Sequence, residues 1–324
     1  MGDFLKKALE NGIYKPDGPH QQLSEITQKY FGSPTEANIE SVASFLALET
    51  TPTLVPAKEY RAAAYKQRIE IIVWTLRDIY DKPRSPEVKK LFSAFSGAVI
   101  DRNISLITLN YDLLIDQLLK DTGKWLPVFG YGVELPLAGL LRNDPRPRGV
   151  IRPAIGQSVL LKLHGSLNWG RRNVRYSDGS QPVELSPFES DSRILPIQNM
   201  ASSNPAQPGT FRWDTFIVPP FVSRSSVSGT EPVLENVWYH AWAALALADF
   251  IHFLGYSLPP SDFEMDILLR EGLHSWPAEI KKKKVFVVDR DERVGERIAT
   301  QFKGVEIDTS RSDIEAYLRE LIDL

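Results

Sequence analysis

Four polar clusters stand where apolar runs of this chain stop: Asn110-Tyr111-Asp112, His164-Gly165-Ser166, Gly255-Tyr256-Ser257 and Asp289. An asparagine amide both donates and accepts hydrogen bonds without titrating. A histidine, with a reference pKa near ~6.5, can take a proton at neutral pH. Each residue also has a plainer reading. Asp112 can cap a helix that begins at Leu113, and Asn110 can be a turn residue. His164 can be a core histidine bonded to a backbone carbonyl. Gly255 and Ser257 can form the turn before Pro259 and Pro260, and Asp262 or Ser261 can cap the helix that follows. What sets Asn110 and His164 apart is their position on the ends of two strands. They are the most chemical pair in the chain.

Other chemistries lack their residues. There is no cysteine among the 324 residues, which excludes disulfides and cysteine-ligated zinc. The five histidines are scattered with no metal-ligand spacing, and His252 sits within an apolar strand as a structural residue would. No P-loop and no GxSxG elbow occurs. The net charge of −3 shows no nucleic-acid signal. The one basic run, Lys281 to Lys284, reads as the solvated start of a strand. No run approaches the ~20 apolar residues of a membrane helix. A cytoplasmic protein without a membrane partner is expected.

The pattern of elements says how the clusters are positioned. Residues 1–100 read as a mainly helical subdomain, with amphipathic stretches in "DFLKKALENGI", "ANIESVASFLALE" and "YRAAAYKQRIEIIVWTLRDIYD", the last ended by Pro83 and Pro86. From 101 the period changes. Strands are expected at 105–110, 159–165, 249–257 and 285–289, and "GVEID" follows as a fifth. Helices "DLLIDQLLK", "DFEMDILLREGL", "DERVGERIATQF" and "SDIEAYLRELI" alternate with them. That alternation predicts an α/β fold, a Rossmann-like, mainly parallel sheet with helices on both faces, in a single domain over 1–324. A Pro-, Ser-, Gly- and Asn-rich excursion at about 170–235 interrupts the core. In such a sheet the strand ends share one rim, where ligands bind.

"ITLNYD" (107–112) followed by "LKLHGSLNW" (161–169) resembles the TxNxD and HGS elements of the sirtuin fold. "FLGYSLPPSD" is similar to that fold's later GxS nucleotide loop, and "VFVVDRD" to the strand that meets the adenosine end of NAD. "VWYHAWAALALADFIHFLGYSLPPSDFEMD" is closer to the bacterial SIR2-like NAD hydrolases of antiphage defence than to protein deacylases. The resemblance covers roughly residues 35 to 320, and the order of the motifs makes it specific. It implies an NAD+ glycohydrolase that releases nicotinamide and ADP-ribose, a cell-suicide effector acting as a homo-oligomer or with a partner defence protein. A module that binds NAD or an ADP-ribose-like nucleotide, or serves as an assembly subunit, without catalysis is the alternative. The four-cysteine zinc ribbon of deacylases is not possible here, so no metal is expected and NAD is the substrate.

The resemblance assigns Asn110 and His164 as catalytic. It gives Tyr111, Asp112, Gly255, Tyr256, Ser257 and Asp289 to NAD. Nicotinamide is a cationic leaving group and needs no protonation, so the site orients the ribose through an oxocarbenium-like state. Asn110 would position, His164 would take a proton from a hydroxyl or water, and Gly255 would let a phosphate or ribose approach the backbone. The family normally opens with a strand and a GAGxS loop, and Gly2, Gly12 and Gly18 do not have that spacing. The expectation is that this first strand is encoded upstream of Met1.

Overall fold

The computed structural model describes residues 8–33 apart from 11, 13, 16 and 19, then 85–133, 158–172, 183–185, 213–217, 232–258 and 262–274, and finally 283–323 apart from 303. The amphipathic stretches expected at 38–50 and 60–81 lie outside these residues. Within them, helix occurs at three places before β-structure begins. Residues 8–10 are helical, α1 spans Gln21–Phe31, and α2 spans Pro86–Asp101. Pro86 opens α2. Its missing N–H is harmless in the first turn, and the Ser85 hydroxyl accepts from the Val88 N–H at 3.2 Å.

Next come β1 (Leu106–Thr108), α3 (Leu114–Asp121), the one-turn α4 (Pro127–Gly130) and β2 (Leu160–Lys162). β1 and β2 pair in parallel, Thr108 opposite Lys162. After β2 the chain turns at Gly165 into β3 (Gly165–Arg172), which runs antiparallel between β4 (Val183–Leu185) and β5 (Trp213–Ile217). Gly165 has φ +81, and a Cβ there would lie 2.3 Å from the Phe216 carbonyl oxygen. Only glycine lets β3 leave the parallel ladder and approach β5 this closely.

α5 (Pro232–Leu247) packs on β2 and on α6 (Phe263–His274). β6 (Phe250–Leu254), β7 (Lys284–Val288) and β8 (Glu306–Arg311) form a parallel three-stranded sheet. α6 and α7 (Glu292–Gln301) connect its strands, and α8 (Ile314–Asp323) follows. Ile251, Phe253, Val285 and Val287 turn one face into the common core with Leu245, Leu268 and Ile298. His252 and Phe286 turn to the other face, where their rings stack at 4.9 Å and the Tyr317 hydroxyl of α8 meets His252 Nδ1 at 2.7 Å. This sheet therefore has helices on both faces, as parallel sheets require. α2 packs against α3 and α8, and Arg102 donates to the Leu321 and Ile322 carbonyls at 2.7 and 3.2 Å.

The chain is thus mixed α/β with parallel sheets, and among the described residues its strands differ from the expected pattern in detail. One continuous sheet was expected, but the described strands form two parallel ladders, β1–β2 and β6–β7–β8, and one antiparallel sheet. Alternation of strand and helix is a local signal, whereas the neighbour a strand chooses is decided by packing across the chain. The expected strand 159–165 ends early: β2 stops at Lys162, and a separate strand of the antiparallel sheet, β3, begins at Gly165. The excursion at about 170–235 contains β4 and β5, short strands whose partner is β3 and not each other. α5 carries no helical signature in the sequence, because "WYHAWAALAL" is apolar all round and has no polar face to mark a helical period.

Candidate functional site

The parallel register sets the first group of site residues. With Thr108 opposite Lys162, Asn110 and His164 each lie two residues beyond the last pair of their strands. The Leu163 N–H donates to the Thr108 carbonyl at 3.0 Å, and the Leu167 N–H donates to the Tyr111 carbonyl at 3.1 Å. The segment after β1 is therefore tied to both sides of His164. The Asn110 N–H donates to Thr108 Oγ1 at 3.1 Å, and its residue is exposed. Asp112 Oδ1 accepts from the Leu114 N–H at 3.0 Å. α3 begins at Leu114 with Leu113 as its N-cap, so Asp112 closes the turn just before the helix instead of taking the expected N-cap position.

His164 is 4% exposed. Its ring lies 6.4 Å from that of Tyr111 and 6.2 Å from that of Trp238. Trp238 is held in turn by its indole N–H, which donates to the Leu163 carbonyl at 2.8 Å. Burial pushes the imidazole down to about 4, so it is neutral at pH 7. Its Nε2 is buried and has no hydrogen-bond partner among the described residues. The Ser166 hydroxyl, on a residue 0% exposed, and Asn168 Oδ1 are likewise without partners. Unmatched buried polar atoms are rare in folded proteins, and three within five residues mark a place with hydrogen-bonding capacity left over.

Beneath this rim lies a group that sequence reading missed. Lys162 is 1% exposed. Its ammonium donates to the Asp112 carbonyl and to Asp116 Oδ2, the latter at 2.9 Å. Asp116 Oδ1 accepts from the Tyr131 hydroxyl, which accepts from Asn168 Nδ2 at 2.7 Å. Burial, then the neighbouring Asp116 charge, hold the Tyr131 phenol protonated. The sequence did carry a signal. A lone lysine in "VLLKLHG" and a lone aspartate in "LLIDQLL" are opposite charges in otherwise apolar segments, and charges at inward positions require partners.

The second group sits on the other parallel sheet. β6 and β7 end together, with Leu254 opposite Val288, so Gly255-Tyr256-Ser257 and Asp289 leave one rim. Gly255 has φ +64, and its N–H donates to the Val288 carbonyl at 3.0 Å. The Tyr256 hydroxyl donates to Asp262 Oδ2 at 2.7 Å, while Asp262 Oδ1 accepts from Met265 N–H at 3.4 Å. Asp262 therefore caps α6, as expected, and burial raises its carboxyl. Asp289 Oδ1 accepts from the Asp291 N–H at 2.9 Å, closing a turn, and Asp291 caps α7. Ser257 is exposed. The ladders bring together the members of each group, but no described strand pairs with both sheets.

Of the basic run, the described members are not simply solvated. Lys283 donates to the Leu245, Ala246 and Ala248 carbonyls at 2.8, 2.6 and 3.1 Å, closing the C-terminal end of α5. Lys284 pairs with Glu306 across the sheet at 3.2 Å. Among the described residues no group of three or more His, Asp or Glu side chains could hold a metal ion, and no helix is long and apolar enough to cross a membrane. A scan against protein-family models found no match for the chain, and neither did a search of curated proteins.

Proposed function

We propose that this chain is a SIR2-like NAD+ hydrolase that cleaves the nicotinamide–ribose bond, and that it acts as a cell-suicide effector in antiphage defence. One observation carries the reading. The unpartnered Nε2 of a neutral, buried His164 lies on the same rim as Asn110-Tyr111-Asp112. An imidazole kept neutral at pH 7 is ready to accept a proton from a ribose hydroxyl or water. Its low pKa suits it to orienting and relaying the proton, not to holding it. Asn110, exposed and uncharged, can bond the ribose or nicotinamide amide from the open side. Ser166, two residues beyond His164, offers a further unmatched hydroxyl, and Gly255 to Ser257 with Asp289 are left for the rest of the nucleotide.

Release of free nicotinamide from NAD is the measurement. Asn110→Ala and His164→Ala should each lower it by at least ~10²-fold in folded protein, the usual size for a lost acid–base or positioning group. Chelators should leave the rate intact, and acetyl-lysine peptide should not be turned over faster than NAD is hydrolysed. A folded His164→Ala protein that cleaves NAD at the parent rate sinks the mechanism. A second reading, nucleotide binding without turnover, is favoured by the same 4% exposure of His164, since a buried weak base is poorly placed to exchange protons with solvent. Calorimetric binding of NAD with no nicotinamide released would select it.

A further inference from the structure

We propose that Lys162 is a positioning residue, clamping the Asn110–Asp112 turn to the strand that carries His164. The inference rests on the reading of that rim as the site. A buried ion pair is weak evidence of stabilisation, because desolvation offsets most of the attraction, and well-packed apolar residues often serve as well. The Lys162–Asp116 pair, at 1% and 9% side-chain exposure, therefore calls for another reason.

Its geometry supplies one. The ammonium does not bond Asp116 alone. It also donates to the backbone carbonyl of Asp112, in the turn between β1 and α3. Lys162 is the last residue of β2, two positions before His164. One rigidly held cation thus bonds the segment bearing Asn110 while standing on the strand bearing His164. Asp116 and Tyr131 hold the cation in turn, Asp116 through Oδ2 and Tyr131 through its bond to Oδ1. Asn168, on β3 beyond His164, bonds the Tyr131 hydroxyl and closes the chain of contacts back onto the same strand run. A carbonyl accepting from an ammonium forms a charge-assisted bond, stronger than the backbone N–H bonds that otherwise tether the turn.

The test uses the full chain with Lys162→Met/Asp116→Asn, which removes both charges together and keeps an acceptor for Tyr131. Amide hydrogen exchange is read at two places. The Leu167 N–H, bonded to the Tyr111 carbonyl, reports the turn, and the Leu163 N–H, bonded to the Thr108 carbonyl, reports the ladder. The expected result is at least ~10-fold faster exchange at Leu167 with Leu163 unchanged, because local opening precedes global unfolding. In parallel, kcat for NAD cleavage should fall by at least ~10-fold with KM within about twofold, the pattern of a misplaced catalytic group. Unchanged exchange at Leu167, or equal acceleration at both amides, overturns the clamp, the second outcome making Lys162 merely structural. If the parent protein releases no nicotinamide, the functional reading falls, and exchange alone decides the clamp. Should the double variant not fold, Lys162→Gln, which keeps a donor without the charge, is read in the same two ways.

Discussion

The two rims of this molecule are built from similar residue types and treat them differently. On the rim of β6 and β7, the polar groups are largely matched by their own neighbours. Tyr256 bonds Asp262, Asp262 caps α6, and Asp289 closes a turn onto Asp291. On the rim of β1 and β2, His164 Nε2, Ser166 Oγ and Asn168 Oδ1 are buried and unmatched, above a buried ammonium. A fully matched rim can serve as a wall or a backbone platform. An unmatched one holds capacity that only a ligand or water can use. The contrast supports the proposal that the chemistry belongs at His164, with Gly255 in a supporting role.

The largest effect that would test this contrast is on stability. Lys162→Met alone leaves Asp116 buried without its cation and should destabilise the fold by ~3–5 kcal/mol in urea melts, whereas Asp262→Ala on the other rim removes a cap and should cost about 1 kcal/mol. Equal costs would erase the distinction between the rims.

A somewhat smaller effect depends on pH. The folded protein resists protonating His164 until about pH 4, whereas the unfolded chain takes up that proton near ~6.5. The stability this contributes is fully present above the unfolded value and is lost as pH falls through that window. Between pH 7 and pH 4 the parent should lose roughly 3 kcal/mol more than His164→Gln, which cannot titrate. Parallel pH profiles for the two proteins would mean that His164 is not buried neutral. The comparison with the variant is needed because burial also lowers His20, His240 and His252.

The smallest effect separates the two glycines. Both Gly165 and Gly255 have positive φ, so alanine strains each by ~1–2 kcal/mol. At Gly165 the added Cβ also meets the Phe216 carbonyl oxygen at 2.3 Å, whereas at Gly255 it meets only the end of the Ile314 side chain at 3.2 Å. A backbone atom cannot step aside as a side chain can. Gly165→Ala should therefore cost at least ~2 kcal/mol more than Gly255→Ala. A difference below about 0.5 kcal/mol would show that β3 and β5 can separate freely.

Much of the second half was legible. "VFVVD" and the helix "DERVGERIATQF" match β7 and α7 to within about two residues, because alternating strands and amphipathic helices each bury one defined face. Asp262 as a helix cap was legible for the same local reason. β4 and β5 were not, because three to five residues carry little pattern of their own and become strands only beside β3. Lys162 was visible as an oddity in an apolar strand, yet nothing in "VLLKLHG" names Asp112 and Asp116 as its partners.

By itself, the sequence determined the alternation of elements, the polar ends of the strands and the absence of any thiol, since each depends on residue type and spacing along the chain. Tertiary structure alone decided that His164 is buried and neutral, that Lys162 reaches back to the turn after β1, and that the parallel strands fall into two ladders. The physical reason is the same in all three cases. Desolvation, ion pairing and strand pairing depend on which distant residues become neighbours, and that choice is made by the packed core as a whole.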